Sequence, residues 1–375
     1  MNTNMEEFGY EVDFIAVGDK SRSGDAICIR WGNNLNRPSG SQFIMIIDGG
    51  YSYSAEYVVK HIKKYYYGNV DLPKNVAKVN IMINTHPHSD HFGGIPAIYD
   101  AISVNEIAMH RPWDHTGLPK WFKDGRVTAN GIKNQLKEGL EAAYKFAKQY
   151  QLDKGTDTVE LYAGDKFTLP YGVSLYVLGP QKVYYEKLLP DFNTTPTKGN
   201  GVGQDRIVLT GEDVPARDGA LNDNGDTSAE NSSGLILALE MPNHEILIFT
   251  GDAGIEALGR AMAQFDAFGL DVANIKFFQI PHHGSCQNLG PTILNTIFGV
   301  PGKPKQRQSV SAYVSVAADP DNAHPSRRVI NALIARNCNV YKTQGRSLQH
   351  HCGSALLHEG WISVSKLDYY PMVEG

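Results

Sequence analysis

The chain has 375 residues, 42% of them hydrophobic and 20% charged, with a net charge of −5, an ordinary globular composition with enough length for a large core. The negative balance gives no global reason to bind nucleic acid or acidic membranes, so a polyanion contact would need a local basic patch or a metal. No run approaches the ~18 apolar residues of a membrane span, and the acidic opening MNTNMEEFGYEVDF lacks the basic-then-apolar order of a signal peptide.

In chain order, β-formers predict strands at Val12–Val17, Ala26–Trp31 and Gln42–Ile47, the last running into Asp48-Gly49-Gly50. Helical spacing follows at Ala55–Tyr65, then a buried strand at Val79–Asn84 and a helix at Ile95–Ile102. Ile132, Leu136, Leu140, Ala143 and Phe146 recur at helical spacing in an added element over 120–158. Strands return at Val159–Tyr162 and Val173–Leu178, and 181–230 reads as a long irregular insertion. The last third has a hairpin (Leu235–Glu240, Glu245–Phe249), a helix through Ile255, Leu258, Met262 and Phe265, and strands at Ile275–Ile280 and Val310–Val316. A helix capped by Ser326 closes this part. Two strand-rich halves with helices predict an α+β sandwich with helices outside, read as a single domain over 1–375 with insertions at 120–158 and 181–230. Cys28, Cys286, Cys338 and Cys352 show no metal or disulfide spacing, and the expectation is reduced thiols in a cytoplasmic protein.

The most informative stretch is His86-Pro87-His88-Ser89-Asp90-His91, which delivers three imidazoles and a carboxylate at the end of an apolar strand. Imidazole and carboxylate are ligands for zinc, manganese or iron, and alternating positions aim His86 and His88 the same way. Thr250-Gly251-Asp252 and Pro281-His282-His283-Gly284-Ser285 each close a further strand.

The run THPHSDHFGG resembles the HxHxDH signature of the metallo-β-lactamase superfamily. That resemblance implies a four-layer αββα sandwich and two divalent ions, zinc or manganese, at the strand ends. His86 and His88 would serve the first metal, Asp90 and His91 the second, and Asp252 would bridge them. Asp48 would orient the histidine loop, and His283 is the preferred last ligand, with His282 facing substrate or ligating instead. Many members supply a further histidine to the first metal; the candidates are His110, His115 and His244, the last displaced by its hairpin-tip position. If the hairpin turns at Pro242-Asn243, Asp252 pairs near Ser233, which brings Asn231-Ser232-Ser233 beside the metals. That segment, with Gly24-Asp25-Ala26 and Ala323-His324-Pro325-Ser326, resembles the C-terminal hydrolase domain of competence-type DNA-uptake proteins and their stand-alone relatives.

The resemblance implies a hydrolase using a metal-activated water, with a phosphodiester in nucleic acid or a nucleotide as leading substrate. Catalytic candidates are Asp90, His282, His324 and Arg111, with Asn231 and Ser233 bonding phosphate oxygens or water. The alternatives are hydrolysis of another ester, a lactone or phosphorylcholine, and a metal-holding regulatory or assembly subunit of a DNA-handling or defence system. Lys303, Lys305 and Arg307 read as a solvated face, with phosphate-backbone contact as the alternative, and His350-His351-Cys352 as incidental to a closing strand.

Overall fold

The computed structural model describes residues 7–36, 41–115, 129–192, 213–216, 220–319 and 323–374. Strands β1 (Phe8–Phe14), β2 (Ile27–Asn33), β3 (Ser41–Ile47), β4 (Lys78–Ile83), β5 (Ser103–Ala108) and β16 (Leu348–Gly353) form one sheet, ordered β16-β1-β2-β3-β4-β5. The other contains β6 (Lys166–Thr168), β7 (Ser174–Gly179), β9 (Ile236–Glu240), β10 (Ile246–Phe249), β11 (Ile275–Gln279), β14 (Val310–Val314) and β15 (Cys338–Lys342), ordered β15-β14-β11-β10-β9-β7-β6. Short ribbons pair β8 (Val214–Pro215) with β17 (Met372–Val373), and β12 (Gly299–Val300) with β13 (Lys303–Pro304).

Period-two alternation assigns each strand two jobs. In β3, Met45 and Ile47 enter the core between the sheets, where Phe14, Phe249, Phe277 and Tyr313 meet, while Ile44 and Ile46 face the outer helical layer. A strand buried on both faces reads as the continuous apolar run FIMII. Helices α1 (Ala55–His61), α3 (Ile95–Ala101), α4 (Ala129–Gly139) and α5 (Glu141–Lys154) cover the first sheet. Helices α8 (Ile255–Ala267), α9 (Pro291–Phe298) and α10 (Arg327–Ile334) cover the second. The result is the four-layer αββα sandwich of the metallo-β-lactamase fold.

The helix expected over 55–65 ends at His61 and continues as a π-turn, Ile62–Tyr66. The strand expected at Val159–Tyr162 reduces to one bridge between Val159 and Ala108, because the Tyr162 amide is drawn into a turn closed by Asp165 Oδ2 at 2.8 Å. The stretch 181–230 is not irregular throughout: it opens with α6 (Lys182–Leu188) and ends with α7 (Ala229–Ser232). The expectations for 193–212 and 217–219, and for 120–128 of the earlier insertion, lie outside the described residues. Ser326 occupies the N-cap position of α10, but its hydroxyl bonds Glu374 Oε2 at 3.3 Å. Among the described residues no helix is long and apolar enough to cross a membrane, and all four cysteines are free thiols.

Candidate metal centre

Parallel strands build the site. β3 and β4 run parallel, as do β10, β11 and β14. Asp48 follows β3, the histidine run follows β4, Asp252 follows β10, and His282 and His283 follow β11, so all these groups leave carboxyl ends of strands. His88 is the N-cap of α2 (Ser89–Phe92), whose first turn carries Asp90 and His91.

The centre of the arrangement is the buried carboxylate of Asp252. Its Oδ1 lies 3.2 Å from His91 Nε2, and its Oδ2 lies 3.8 Å from both His86 Nε2 and His282 Nε2. His283 Nε2 is 3.2 Å from Asp90 Oδ2, which is 3.8 Å from His91 Nε2. Two overlapping sets of donors result: His86, His88 and Asp252, and Asp90, His91, Asp252 and His283, each with ligand atoms within 4.8 Å of one another.

Whether the residues fit metal ions can be read from their hydrogen bonds. His86 Nε2, His91 Nε2 and Asp252 Oδ1 are buried without a hydrogen-bond partner among the described residues, although His91 and Asp252 are only 3.2 Å apart. Groups that approach without pointing at each other are arranged around a shared point, and a buried polar atom left unsatisfied is costly. The remote ring nitrogens give the complementary result. His91 Nδ1 donates to Asp48 Oδ2 (2.7 Å), His282 Nδ1 to Asn288 Oδ1 (2.9 Å) and His283 Nδ1 to the Ser315 carbonyl (3.0 Å). Thr85 Oγ1 gives its proton to Asp48 Oδ2 (2.7 Å), so it accepts from His86 Nδ1 at 3.1 Å. Once Nδ1 carries the donating proton, neutral imidazole presents a lone pair at Nε2, the form a metal binds. The donor set fits.

Electrostatics agree. Burial works against a charged His91, but Asp252, Asp48 and Asp90 hold it well above the ordinary histidine range, and Asp90 raises His283 to about 9 against the same burial. His86, away from that acidic side, is pushed well below the range by burial and by His91 and His88. Burial opposes ionisation of Asp252, yet His91 and His282 keep it well below the usual carboxylate range. The pocket thus demands positive charge.

Backbone strain marks the same place. His282 (φ 47°) and His283 (φ 54°) are consecutive non-glycine residues in the left-handed region, at a cost on the order of 1–3 kcal/mol each. Gly251 (φ 49°) passes so close to Thr85 that a Cβ would sit 3.1 Å from its side chain.

The remaining candidates are distributed unevenly. Asn231 and Ser233 lie beside the cluster: Ser233 shares a small internal cavity with His86, and a Cβ on Gly234 would lie 3.8 Å from that of His86. Ser233 spends its proton on the Glu230 carbonyl (2.7 Å), while Asn231 donates to Thr227 Oγ1 (2.9 Å) and keeps a buried Oδ1 without a partner among the described residues. His324 stacks over His282 with ring centroids 6.4 Å apart. Arg111 is not brought to the cluster; its guanidinium is held by Asp114, Thr158 and Glu160. His110 bonds the Leu161 carbonyl, His115 lies between Glu160 and Glu186, and His244 pairs with Glu240 on the surface.

Two features escaped the sequence reading. Asp25 is buried with Oδ2 3.9 Å from His91 Nε2 and Oδ1 unpartnered among the described residues, and burial raises its pKa. Its only sequence signal is the resemblance carried by Gly24-Asp25-Ala26. The second is a rim of Arg22 over the stacked rings of Tyr51 and Tyr53, at 5.0 and 5.5 Å. This loop abuts the histidine run, since a Cβ on Gly24 would lie 3.2 Å from both the Asp90 carbonyl and the Tyr51 ring.

Residues 40–215 match the model of the Metallo-beta-lactamase superfamily. Solved structures that the chain matches include a HARLDQ-motif metallo-beta-lactamase from Cronobacter sakazakii, 13% identical with TM-score 0.31, the match covering 67% of this chain and 71% of that one. A long-form RNase Z from yeast is 10% identical with TM-score 0.38, over 82% of this chain and 37% of that one. The CmlA beta-hydroxylase is 12% identical with TM-score 0.38, over 94% and 54%. No curated protein matches the chain.

Proposed function

We propose that the chain, whose residues 40–215 match the Metallo-beta-lactamase superfamily model, is a metal-dependent hydrolase of phosphodiesters in nucleic acid or nucleotides, acting in the cytoplasm. The observation that carries this reading is the split of Asp252, with Oδ1 toward His91 and Oδ2 toward His86 and His282. His86, His88 and Asp252 would hold one ion, joined by His282, which takes the place of the further histidine expected for that site. Asp90, His91, His283 and Asp252 would hold the other. Two divalent ions, zinc or manganese, would supply an acidified water and Lewis-acid polarisation of the scissile oxygen.

The chain's own residues do the positioning. Asp48 accepts from Thr85 N, Thr85 Oγ1, Asn84 Nδ2 and His91 Nδ1, and so fixes the loop and the tautomer of His91. Asn288 fixes His282 and also donates to the Asp252 carbonyl at 3.0 Å. His324, stacked on His282, is the proton donor to the leaving oxygen. Asn231 Oδ1 is an acceptor and suits a water, whereas Ser233 stiffens the turn that carries it. Arg22, paired with Asp19 at 2.6 Å, is the cation nearer the histidine run, and its tyrosine platform suits a base or sugar next to a phosphate.

The test is metal-dependent turnover of bis-nitrophenyl phosphate, cyclic nucleotides and single-stranded DNA, beside lactone and phosphorylcholine esters, for the wild type and His88→Ala. Phosphodiester turnover lost in the variant supports the reading. Turnover confined to the lactone or phosphorylcholine esters moves the substrate class, and metal without any turnover favours a regulatory subunit.

A further inference from the structure

A second histidine–carboxylate cluster lies on the outer face of the first sheet and shares no residue with the centre above. Because Tyr10, Val12 and Phe14 point into the inter-sheet core, Glu11 and Asp13 point the other way, where both are fully buried. His61 reaches Asp13 from the end of α1, and His358 reaches it from the segment after β16. We propose that Asp13, His61 and His358 form a second divalent-metal site, of the zinc class, that fastens the C-terminal segment to β1 and α1.

Hydrogen-bond accounting leads there. His61 Nε2 (2.9 Å), His358 Nε2 (2.9 Å) and the Tyr66 hydroxyl (2.7 Å) all converge on Asp13 Oδ2, while Asp13 Oδ1 is buried without a partner among the described residues. A carboxylate oxygen has about two lone-pair positions, so three donors crowd one oxygen and leave the other empty. A cation between the two imidazoles and the carboxylate removes that mismatch, since each ring then offers Nε2 as a lone pair. Ligands at the ~2.0–2.1 Å of zinc sit about 3.3 Å apart in a tetrahedron, an opening of a few tenths of an ångström from the present contacts. Glu11 Oε1, 3.4 Å from His358 Nε2, is already taken by Arg30 Nε at 2.6 Å, so the Tyr66 hydroxyl is the adjacent oxygen left to complete the coordination.

The local backbone is an independent observation. Ile62–Tyr66 is a π-turn, a rare element that recurs at functional sites. Its i→i+5 geometry brings Tyr66 to the same carboxylate as His61. Tyr65 and Trp361 close the cluster: Tyr65 stacks on His358 at 4.4 Å, and Trp361 Nε1 donates to the Tyr65 hydroxyl at 3.0 Å. Three segments distant in sequence thus meet in a closed box, as expected for a structural site rather than a substrate site.

The test is metal stoichiometry of the full chain after loading with zinc or cobalt and desalting. A His88→Ala/Asp252→Ala double variant, disabled in the first centre, is expected to keep one equivalent, and adding His358→Gln is expected to remove it. His358→Gln alone is expected to lose one equivalent and a cobalt absorption component while hydrolytic turnover persists. If His358→Gln does not fold, Asp13→Asn and the chelator-induced drop in melting temperature of the double variant carry the same comparison. A folded double variant that binds no metal, or a stoichiometry unchanged by both His358→Gln and Asp13→Asn, would overturn the proposal.

Discussion

His91 is fastened to Asp48 through a 2.7 Å bond from Nδ1 to Oδ2, while its other nitrogen lies 3.2 Å from Asp252 Oδ1 without a hydrogen bond. One ring face is locked and the other is free. Asp48, at φ 60°, turns its carboxylate back over the histidine loop from a conformation that aspartate tolerates better than most residues. Asp48→Asn keeps the size but cannot accept from all four donors. We expect metal affinity to fall about 10–100-fold with the far-ultraviolet spectrum unchanged, as read by competition with a chelating dye. Wild-type affinity in a folded variant would refute the orienting role.

Asp25 flanks the same ring at 3.9 Å and keeps one buried oxygen unsatisfied. Asp25→Asn is expected to weaken retention of the ion near His91 and His283 by about 10–100-fold, leaving the His86–His88 ion in place. Metal titration followed by mass spectrometry of the native protein resolves the two. Equal loss of both ions would show that Asp25 supports the fold instead of one subsite.

Acid sensitivity should come partly from histidines outside either cluster. Burial lowers His110 and His350 from an ordinary 6.5 to about 4. Each is therefore neutral when folded but binds a proton more readily when unfolded. That contribution is complete above pH 6.5 and is lost as pH falls toward 4. His350→Phe, in a pocket of Tyr10, Phe277 and Tyr313, is expected to flatten the decline of melting temperature between pH 6.5 and 4. A decline parallel to the wild type would exclude His350 as a source.

Phe277 is fully buried between the sheets, in ring contact with Phe14, Phe249 and Tyr313. Phe277→Ala should destabilise the fold by about 3–5 kcal/mol, measured by urea unfolding. Metal stoichiometry of the folded fraction should stay the same, because this contact lies in the core rather than at the strand ends. A change below about 1 kcal/mol would show that the sheets close the cavity by sliding.

Much of the first centre was legible because its chemistry is local. His86, His88, Asp90 and His91 fall within six residues, and the position of Ser233 followed from counting along one hairpin, whose observed register pairs Phe249 with Leu237. Asp25 was not legible as a site residue, because its neighbours Asp90, His91 and Gln279 come from α2 and β11, far away in sequence. His61 and His358 were silent for the same reason: a lone histidine at a helix end reads as a core residue until β1 and the C-terminal segment are folded onto it. Arg111 stands in the run HRPWDH, whose polar groups the fold engages with Thr158, Glu160, Leu161 and Glu186, partners that no local spacing marks. The Val159–Tyr162 strand had the right composition, yet Asp165 captured its amide in a turn.

Asp252 is the residue placed to hold both ions of the proposed centre. The most direct test of that role is Asp252→Asn, followed by metal stoichiometry together with bis-nitrophenyl phosphate turnover. The account predicts loss of at least one equivalent from the first centre and a fall in kcat of more than about 100-fold, beyond the usual effect of a group that only orients a ligand. Full metal occupancy with turnover near the wild type would contradict it.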